Sequence, residues 1–349
     1  MPPLAVYIFL ILYLYYKLTF EINNLFHRKF IKSCDISSAG LSSKKRSAFR
    51  ACREEREDMR YLDSNSYYRQ RFGHRMYKAA LSLDVTCPNR DGSCGSEGCA
   101  FCSAGGSGEF ASPADLTISE SLDMAIGKLS AKTGSDTGFI AYFQSFTSTY
   151  CEPDYLRRAL LEASAHEKVE AIAVGTRPDC LPDEILDVLS DMNRILPVFV
   201  ELGLQTSNDK TAEWFGRGYR TDVFDEAVNK LKERGLNTTA HVIFYLKGET
   251  REDMLGSVRH VVESGCDGIK ITCLYILKGT RVAEEWQRGE LALPTMEEYF
   301  DTIERALEII PRDMVVHRIT GDGPKSLLLA PMWTADKRAV VNYINRRFG

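Results

Sequence analysis

The amino-acid sequence predicts an α/β fold built on a parallel sheet, and three observations carry the prediction. Short apolar segments alternate with helical patterns from Met76 onward, as successive β-α units do. A loop holding four cysteines, Cys87 to Cys102, sits where the first β-α loop belongs. Nearly every other polar motif falls at the carboxyl end of a predicted strand, where barrel chemistry collects. Six such units build either a doubly wound sheet or a partial (β/α)6 barrel. The phosphate-loop signature is absent, and no G-x-G-x-x-G follows the first strand.

Strands are expected at 79–85, 138–144, 169–175, 196–204, 238–245 and 267–276, and helices at 118–131, 153–166, 183–192, 221–234, 250–264 and 295–310. The third helix opens with Pro182 in its first position and Asp183 and Glu184 in its first turn, which are helix-start signals. Its Ile185 and Leu189 share one face.

The chain of 349 residues, 44% apolar, has material for one large domain and an extension. A net charge of −4 gives no global pull toward nucleic acid or an anionic membrane. Residues 1–20 are apolar from Leu4 to Tyr16 and then reach Lys17, a marginal length for a membrane-spanning helix. They read equally as a membrane anchor or as upstream sequence joined by a mistaken start codon. The basic residues that follow would leave the domain on the cytoplasmic side. Residues 21–58 read as a linker-like extension, with 33–58 rich in Ser, Lys, Arg and Glu. Ten cysteines without even spacing argue for a reducing cytoplasm, with Cys34, Cys52 and Cys266 as ordinary thiols.

The cysteine loop, CPNRDGSCGSEGCAFC, asks for a metal. Cys99 and Cys102 form a C-x-x-C pair, and Cys87 reaches the same centre across a turn-permissive loop containing Asn89, Asp91, Gly92, Gly95 and Gly98. If Cys94 joins, four cysteines close a site for structural zinc or an electron-transfer cluster. If it does not, three cysteines hold a [4Fe-4S] cluster with one open iron. Phe101 puts a flat apolar surface beside the metal, and no second C-x-x-C supplies the far knuckle of a zinc ribbon. Spacing alone leaves both readings standing.

The motifs CPNRDG, GCAFCSAGGSG, YFQSFTSTY, GTRPDC, ELGLQT, DGIK, LKGT, HRITGDGP and LLLAPMW occur in this order. Together they resemble the YhcC-like family of radical S-adenosylmethionine (SAM) proteins, related in its core to the radical SAM domain of the elongator catalytic subunit. The likeness runs from about Tyr61 to Gly349. It implies the partial barrel over residues 59–310, with 311–349 closing its open side. It also implies that Cys87, Cys99 and Cys102 ligate a [4Fe-4S] cluster whose open iron takes SAM. A flavodoxin- or ferredoxin-type donor would then supply the electron that cleaves SAM to a 5′-deoxyadenosyl radical acting on an unknown substrate. A zinc- or cluster-stapled binding scaffold and an RNA-modifying radical SAM enzyme are the rival readings.

The strand ends supply the remaining candidates. Phe101, Gln144, Ser145, Glu201, Gln205 and Ile243 are expected to hold SAM. Gln144 and Ser145 occupy the position that meets the methionyl amino group in radical SAM folds. Arg177, Asp179, Cys180, Lys270 and Arg318 are expected around the reacting substrate, with Asp322 and Lys325 in the loop beyond. Strand alternation puts Glu201, Gly203 and Gln205 on one face, and a carboxylate within an apolar strand must be paired or functional. His241 and Ile243 face inward as well, His241 reading more readily as a hydrogen-bonded core histidine. Where the family carries a Gly-Leu-Pro-Gly-Glu turn, this chain has Tyr245, Leu246, Lys247, Gly248 and Glu249, which weakens the expectation of close backbone approach to adenine.

Overall fold

A computed structural model describes residues 60–348, apart from 107, 113, 132, 135 and 322. The expectations for residues 1–58, for Cys34 and Cys52, and for Asp322 lie outside the described residues. From Arg60 onward the chain makes one compact unit.

Eight parallel strands form one curled sheet in the order β1-β9-β7-β6-β5-β4-β3-β2. They are β1 (Leu62–Asp63), β2 (Arg75–Leu81), β3 (Thr137–Phe143), β4 (Val169–Thr176), β5 (Val198–Gln205), β6 (Asn237–Phe244), β7 (Gly268–Cys273) and β9 (Val315–Arg318). From β2 to β7 each strand pairs with its neighbour in sequence, which is the partial barrel. Two further strands extend it beyond β7. β9, from the segment expected to act as a closure, hydrogen-bonds into the sheet and brings β1 to the edge. A small antiparallel pair, β8 (Ile276–Leu277) with β10 (Leu328–Ala330), continues from β7.

The helices are α1 (Ser64–Phe72), α2 (Ile118–Ser130), α3 (Pro153–Ser164), α4 (Asp183–Asn193), α5 (Asp209–Phe215), α6 (Thr221–Glu233), α7 (Arg251–Ser264), α8 (Arg281–Gln287), α9 (Met296–Ile309) and α10 (Lys337–Phe348). Three of them begin with reciprocal capping boxes, Thr117 with Glu120, Thr250 with Asp253 and Thr295 with Glu298, so their first N–H groups are satisfied by side chains. Pro182 stands at the N-cap of α4, one residue before the expected position.

Strand side chains alternate, and the two faces of the sheet differ. Outward residues such as Leu81, Phe143, Val174, Leu202, Phe244 and Ile271 are buried against the helices in one continuous core. Inward residues at the amino ends of the strands, Met76, Ile140, Ala171 and Phe199, pack with Tyr68 of α1 into a second, smaller apolar cluster. Tyr68 meets Phe199 edge-on at 5.8 Å and plugs the bottom of the barrel. Trp333 packs at a tilt against Tyr299 of α9, ring centroids 5.4 Å apart, tying the last segment to the helical layer. Among the described residues no helix is long and apolar enough to cross a membrane.

Candidate functional site

A cavity of about 260 Å³ opens at the carboxyl ends of the strands. The cysteine loop forms one wall. After β2 the chain turns back on itself, with Arg90 N–H donating to the Cys87 carbonyl (2.8 Å), Gly98 N–H to Asn89 (2.7 Å) and Cys102 N–H to Cys99 (2.9 Å). Ala100 N–H donates to the carbonyl of Phe215 at 2.8 Å, fastening the C-x-x-C to the end of α5. Cys87, Cys99 and Cys102 line the cavity, whereas Cys94 is exposed and takes no part in its wall.

Two side chains aim N–H groups at the sulfurs. The Asn89 amide donates to Cys99 Sγ at 3.2 Å and to the Gly216 carbonyl at 2.7 Å, and an Arg177 N–H points at Cys87 Sγ from 3.9 Å. Burial pushes the Cys99 thiol up to about 12, the neighbouring Cys102 adding to the effect and the Asn89 donor opposing it. Gly218 has a positive φ of +83°, and a Cβ there would lie 2.9 Å from Asn89 Oδ1, so glycine keeps this support in place.

This donor set suits an iron-sulfur cluster. Three soft sulfurs share one wall, N–H donors of the kind that orient metal ligands are directed at them, and the fourth cysteine is turned away. Among the described residues no three His, Cys, Asp or Glu side chains come close enough to hold a single metal ion.

The mouth is completed by strand ends. Phe101 lines the cavity with its ring 5.1 Å from that of Phe215. Gln144, Gln205 and Ile243 line it too. Gln205 closes β5 with a positive φ of 61°, a conformation that costs a non-glycine residue about 1–3 kcal/mol and is found where a site holds it. Arg177 is clamped by Asp179 through two hydrogen bonds of 2.9 and 2.7 Å and lies over the Tyr219 ring at 5.0 Å. Asp179 thus acts on the site through Arg177.

Ser145 and Cys180 stand apart from the cavity wall. The Ser145 hydroxyl bonds Ser82 at 2.6 Å, joining the ends of β2 and β3, and the buried Cys180 thiol faces Asp179, with burial holding it protonated. Tyr245, in the turn that departs from the family, keeps the left-handed backbone with φ 67°. Its side chain points away from the cavity, the hydroxyl donating to the Glu298 carbonyl at 2.8 Å.

Below the mouth lies a layer of charge. Glu201, only 2% exposed, accepts from Tyr142 (2.6 Å), His241 (2.9 Å), Lys270 (2.6 Å) and Lys78. Strand register explains the level: Gly203 aligns with His241, His241 with Lys270, and Lys270 with Arg318. Two ammonium groups on one carboxylate hold Glu201 well below the usual carboxylate range, against its burial. Burial pulls the Lys270 ammonium down to about 7; Glu201 opposes this, while Lys78 and Arg318 contribute to it. Burial likewise takes the His241 imidazole down to about 4, so it stands neutral and donates Nε2–H to the carboxylate.

The structure therefore gathers Cys87, Cys99, Cys102, Phe101, Gln144, Arg177, Glu201, Gln205, Ile243, Lys270 and Arg318 around one cavity. Sequence reasoning missed Lys78, Tyr142, Asn89 as a sulfur donor, and Tyr219. Lys78 carried a usable signal, a lone lysine within the apolar run RMYKAAL.

Comparison with known proteins agrees with this geometry. The radical SAM superfamily domain matches residues 89–261, and the radical SAM C-terminal domain matches residues 266–348. YtqA of Bacillus subtilis is 39% identical over 83% of this chain and 89% of its own length. YhcC of Escherichia coli is 34% identical over 77% of this chain and 85% of its own. The solved structure of Elp3 from the archaeon Methanocaldococcus infernus superposes with a TM-score of 0.58 at 18% identity, over 78% of this chain and 63% of that one, a likeness of fold.

Proposed function

The chain belongs to the radical SAM superfamily, in the group of YtqA and YhcC, and from that premise we propose that it is a radical SAM enzyme with Cys87, Cys99 and Cys102 as the ligands of its [4Fe-4S] cluster. The observation that carries the reading is the division of the cysteine loop: three sulfurs on the cavity wall, and Cys94 outside it. When bound, the cluster would supply an electron, drawn from a flavodoxin- or ferredoxin-type donor, that cleaves SAM to methionine and a 5′-deoxyadenosyl radical.

The protein's own part is to bind, orient and exclude water. Asn89 and Arg177 steady the ligand sulfurs through N–H donors. Gln144 offers an amide to the methionyl end of SAM, while Phe101 and Ile243 give apolar surface to its adenosyl end. The Arg177 and Asp179 clamp fixes a cation at the mouth without leaving rotamer freedom. Tyr68 and the apolar plug close the barrel from below, so water reaches the cavity from one end.

Anaerobic reconstitution of the full chain with iron and sulfide, then reduction in the presence of SAM, tests the reading. A brown protein that releases 5′-deoxyadenosine is expected, with Cys99→Ala losing both colour and product and Cys94→Ala keeping both. A Cys94→Ala protein that cannot hold the cluster would return the site to the four-cysteine form. A colourless wild type loaded with zinc would sink the enzyme reading.

A further inference from the structure

Between Cys99 and Cys102 the chain is held from behind. Ala100, 2% exposed, has both of its backbone groups taken by other elements. Its N–H donates to the Phe215 carbonyl at the end of α5 (2.8 Å), and its carbonyl accepts from the Val282 N–H in the first turn of α8 (3.1 Å). Its methyl is buried in an apolar cluster with Ala212 and Phe215 of α5, Val282 and Ala283 of α8, and Leu246 beyond β6. The C-x-x-C thus sits between two short helices, and its place follows their spacing.

A helix leaves its last carbonyls without partners inside the helix. At the end of α5 these carbonyls are satisfied by the cysteine loop and by α8. The Arg217 and Gly216 N–H groups turn back to Ala212 and Glu213, Arg281 of α8 donates to Trp214, Ala100 donates to Phe215, and the Asn89 amide donates to Gly216. The same Asn89 amide is the one aimed at Cys99 Sγ.

Glu285 of α8 fixes the spacing of the two helices. Only 6% exposed, it accepts from Trp214 Nε1 at 3.0 Å and from Lys247 Nζ at 2.8 Å. Lys247 stands in the turn where this chain departs from the family, at the place of the family's proline. Glu285 therefore joins α5, α8 and the turn beyond β6 behind the cysteines, and neither it nor its two partners line the cavity. An apolar residue at this point would pack the helices about as well as a buried ion pair does. Apolar contact has no direction, however, whereas these hydrogen bonds set one geometry.

We propose that Glu285, with Trp214 and Lys247, is the positioning residue for the Cys99 and Cys102 edge of the cluster. It holds α8 against α5 so that Ala100 keeps both of its bonds and Phe101 keeps its ring 5.1 Å from that of Phe215. The inference rests on the radical SAM reading above for the group that is held; the hold itself is measured without that group.

Amide hydrogen exchange on the full chain, before and after anaerobic reconstitution, reads the hold on residues 99–102, and release of iron to a chelator reads its effect on the cluster. Glu285→Ala should speed both by about tenfold, as loss of a residue supporting metal ligands does, while exchange in α7 and α9 stays as in wild type. Glu285→Gln keeps an acceptor for Trp214 and Lys247 and should restore slow exchange and slow release. Trp214→Phe removes the indole N–H and keeps an aromatic ring, and it should give the same local loosening if Glu285→Ala does not fold. Unchanged exchange at 99–102 in the Ala variant overturns the proposal, as does faster exchange with unchanged iron release. Loosening spread evenly through α7 and α9 overturns it too, since Glu285 would then be a general stability element. A wild type that takes up no iron removes the radical SAM reading, and exchange at 99–102 that still depends on Glu285 keeps the hold on the C-x-x-C.

Discussion

The two faces of the sheet share the same strands and the same backbone, yet they do opposite work. Along β5, Val200 and Leu202 point outward into the helical layer while Glu201, between them, points inward to two lysines. Along β7, Ile269 and Ile271 are buried outside and Lys270 is held inside. The outer face gains from every methylene removed from water. The inner face gathers charge that must be desolvated, and little net stability is expected from it. The difference teaches that in this barrel stability and chemistry are sorted by residue parity rather than by region.

The sharpest way to break that comparison is to cut into each face in turn. Phe244→Ala, in the outer core against Tyr299, should cost about 3–5 kcal/mol in urea unfolding, the usual penalty for emptying a buried aromatic site. An outcome under about 1 kcal/mol would mean that the outer face does not carry the fold.

On the inner face the expected pattern is conditional. Glu201→Gln should cost about 3 kcal/mol, because it leaves two buried ammonium groups without their carboxylate. Adding Lys78→Met to that variant should return part of the loss. If the double variant is less stable than the single one, the layer is a stability element and the contrast between faces disappears.

The smallest effect is a slope. Lys270 titrates at about 7 in the folded chain against its ordinary 10.5, so between those values the unfolded chain binds more protons and stability rises with pH. Lys270→Met should flatten that rise. An unchanged slope in the variant would assign the pH dependence to another group.

The same parity explains what the sequence made legible. All six expected strands and six expected helices are present, because their outward residues repeat with clean periods and their helices begin with recognisable caps. The first strand was displaced: 79–85 was expected and Arg75–Leu81 is found. Arg75 and Lys78 interrupt the apolar pattern, so a reading by hydropathy slides past them to the cleaner run that follows. Lys78 is turned inward and partly buried because Glu201 waits for it across the barrel, a pairing invisible to local pattern. The inner layer and the displaced strand are thus one error with one cause.

Other omissions have separate reasons. α1 carries a single buried residue, Tyr68, and no amphipathic stripe, although Asp63 and Gly73 cap its two ends. β9 has four residues, too few for alternation to show. The three cysteines of the cavity wall were the most legible part of the site because their spacing is local, and Cys94 was placed outside the set by the resemblance. Ser145 and Cys180 show the limit of position-based reasoning: a residue at a strand end lines the mouth only if its side chain turns that way.

The pairing of β1 with β9 joins Leu62, near the start of the described fold, to Val315, far along the chain. Contacts between β2 and β7 need only one β-α unit each, whereas this one must wait for almost the entire chain and meets the largest loop-closure cost. Tyr68, which seals the barrel floor, sits on the helix that follows β1 and lies against His317 of β9. During synthesis β1 therefore has no strand to pair with until β9 has emerged. Of the pairings in this sheet it is the one whose two strands leave synthesis farthest apart.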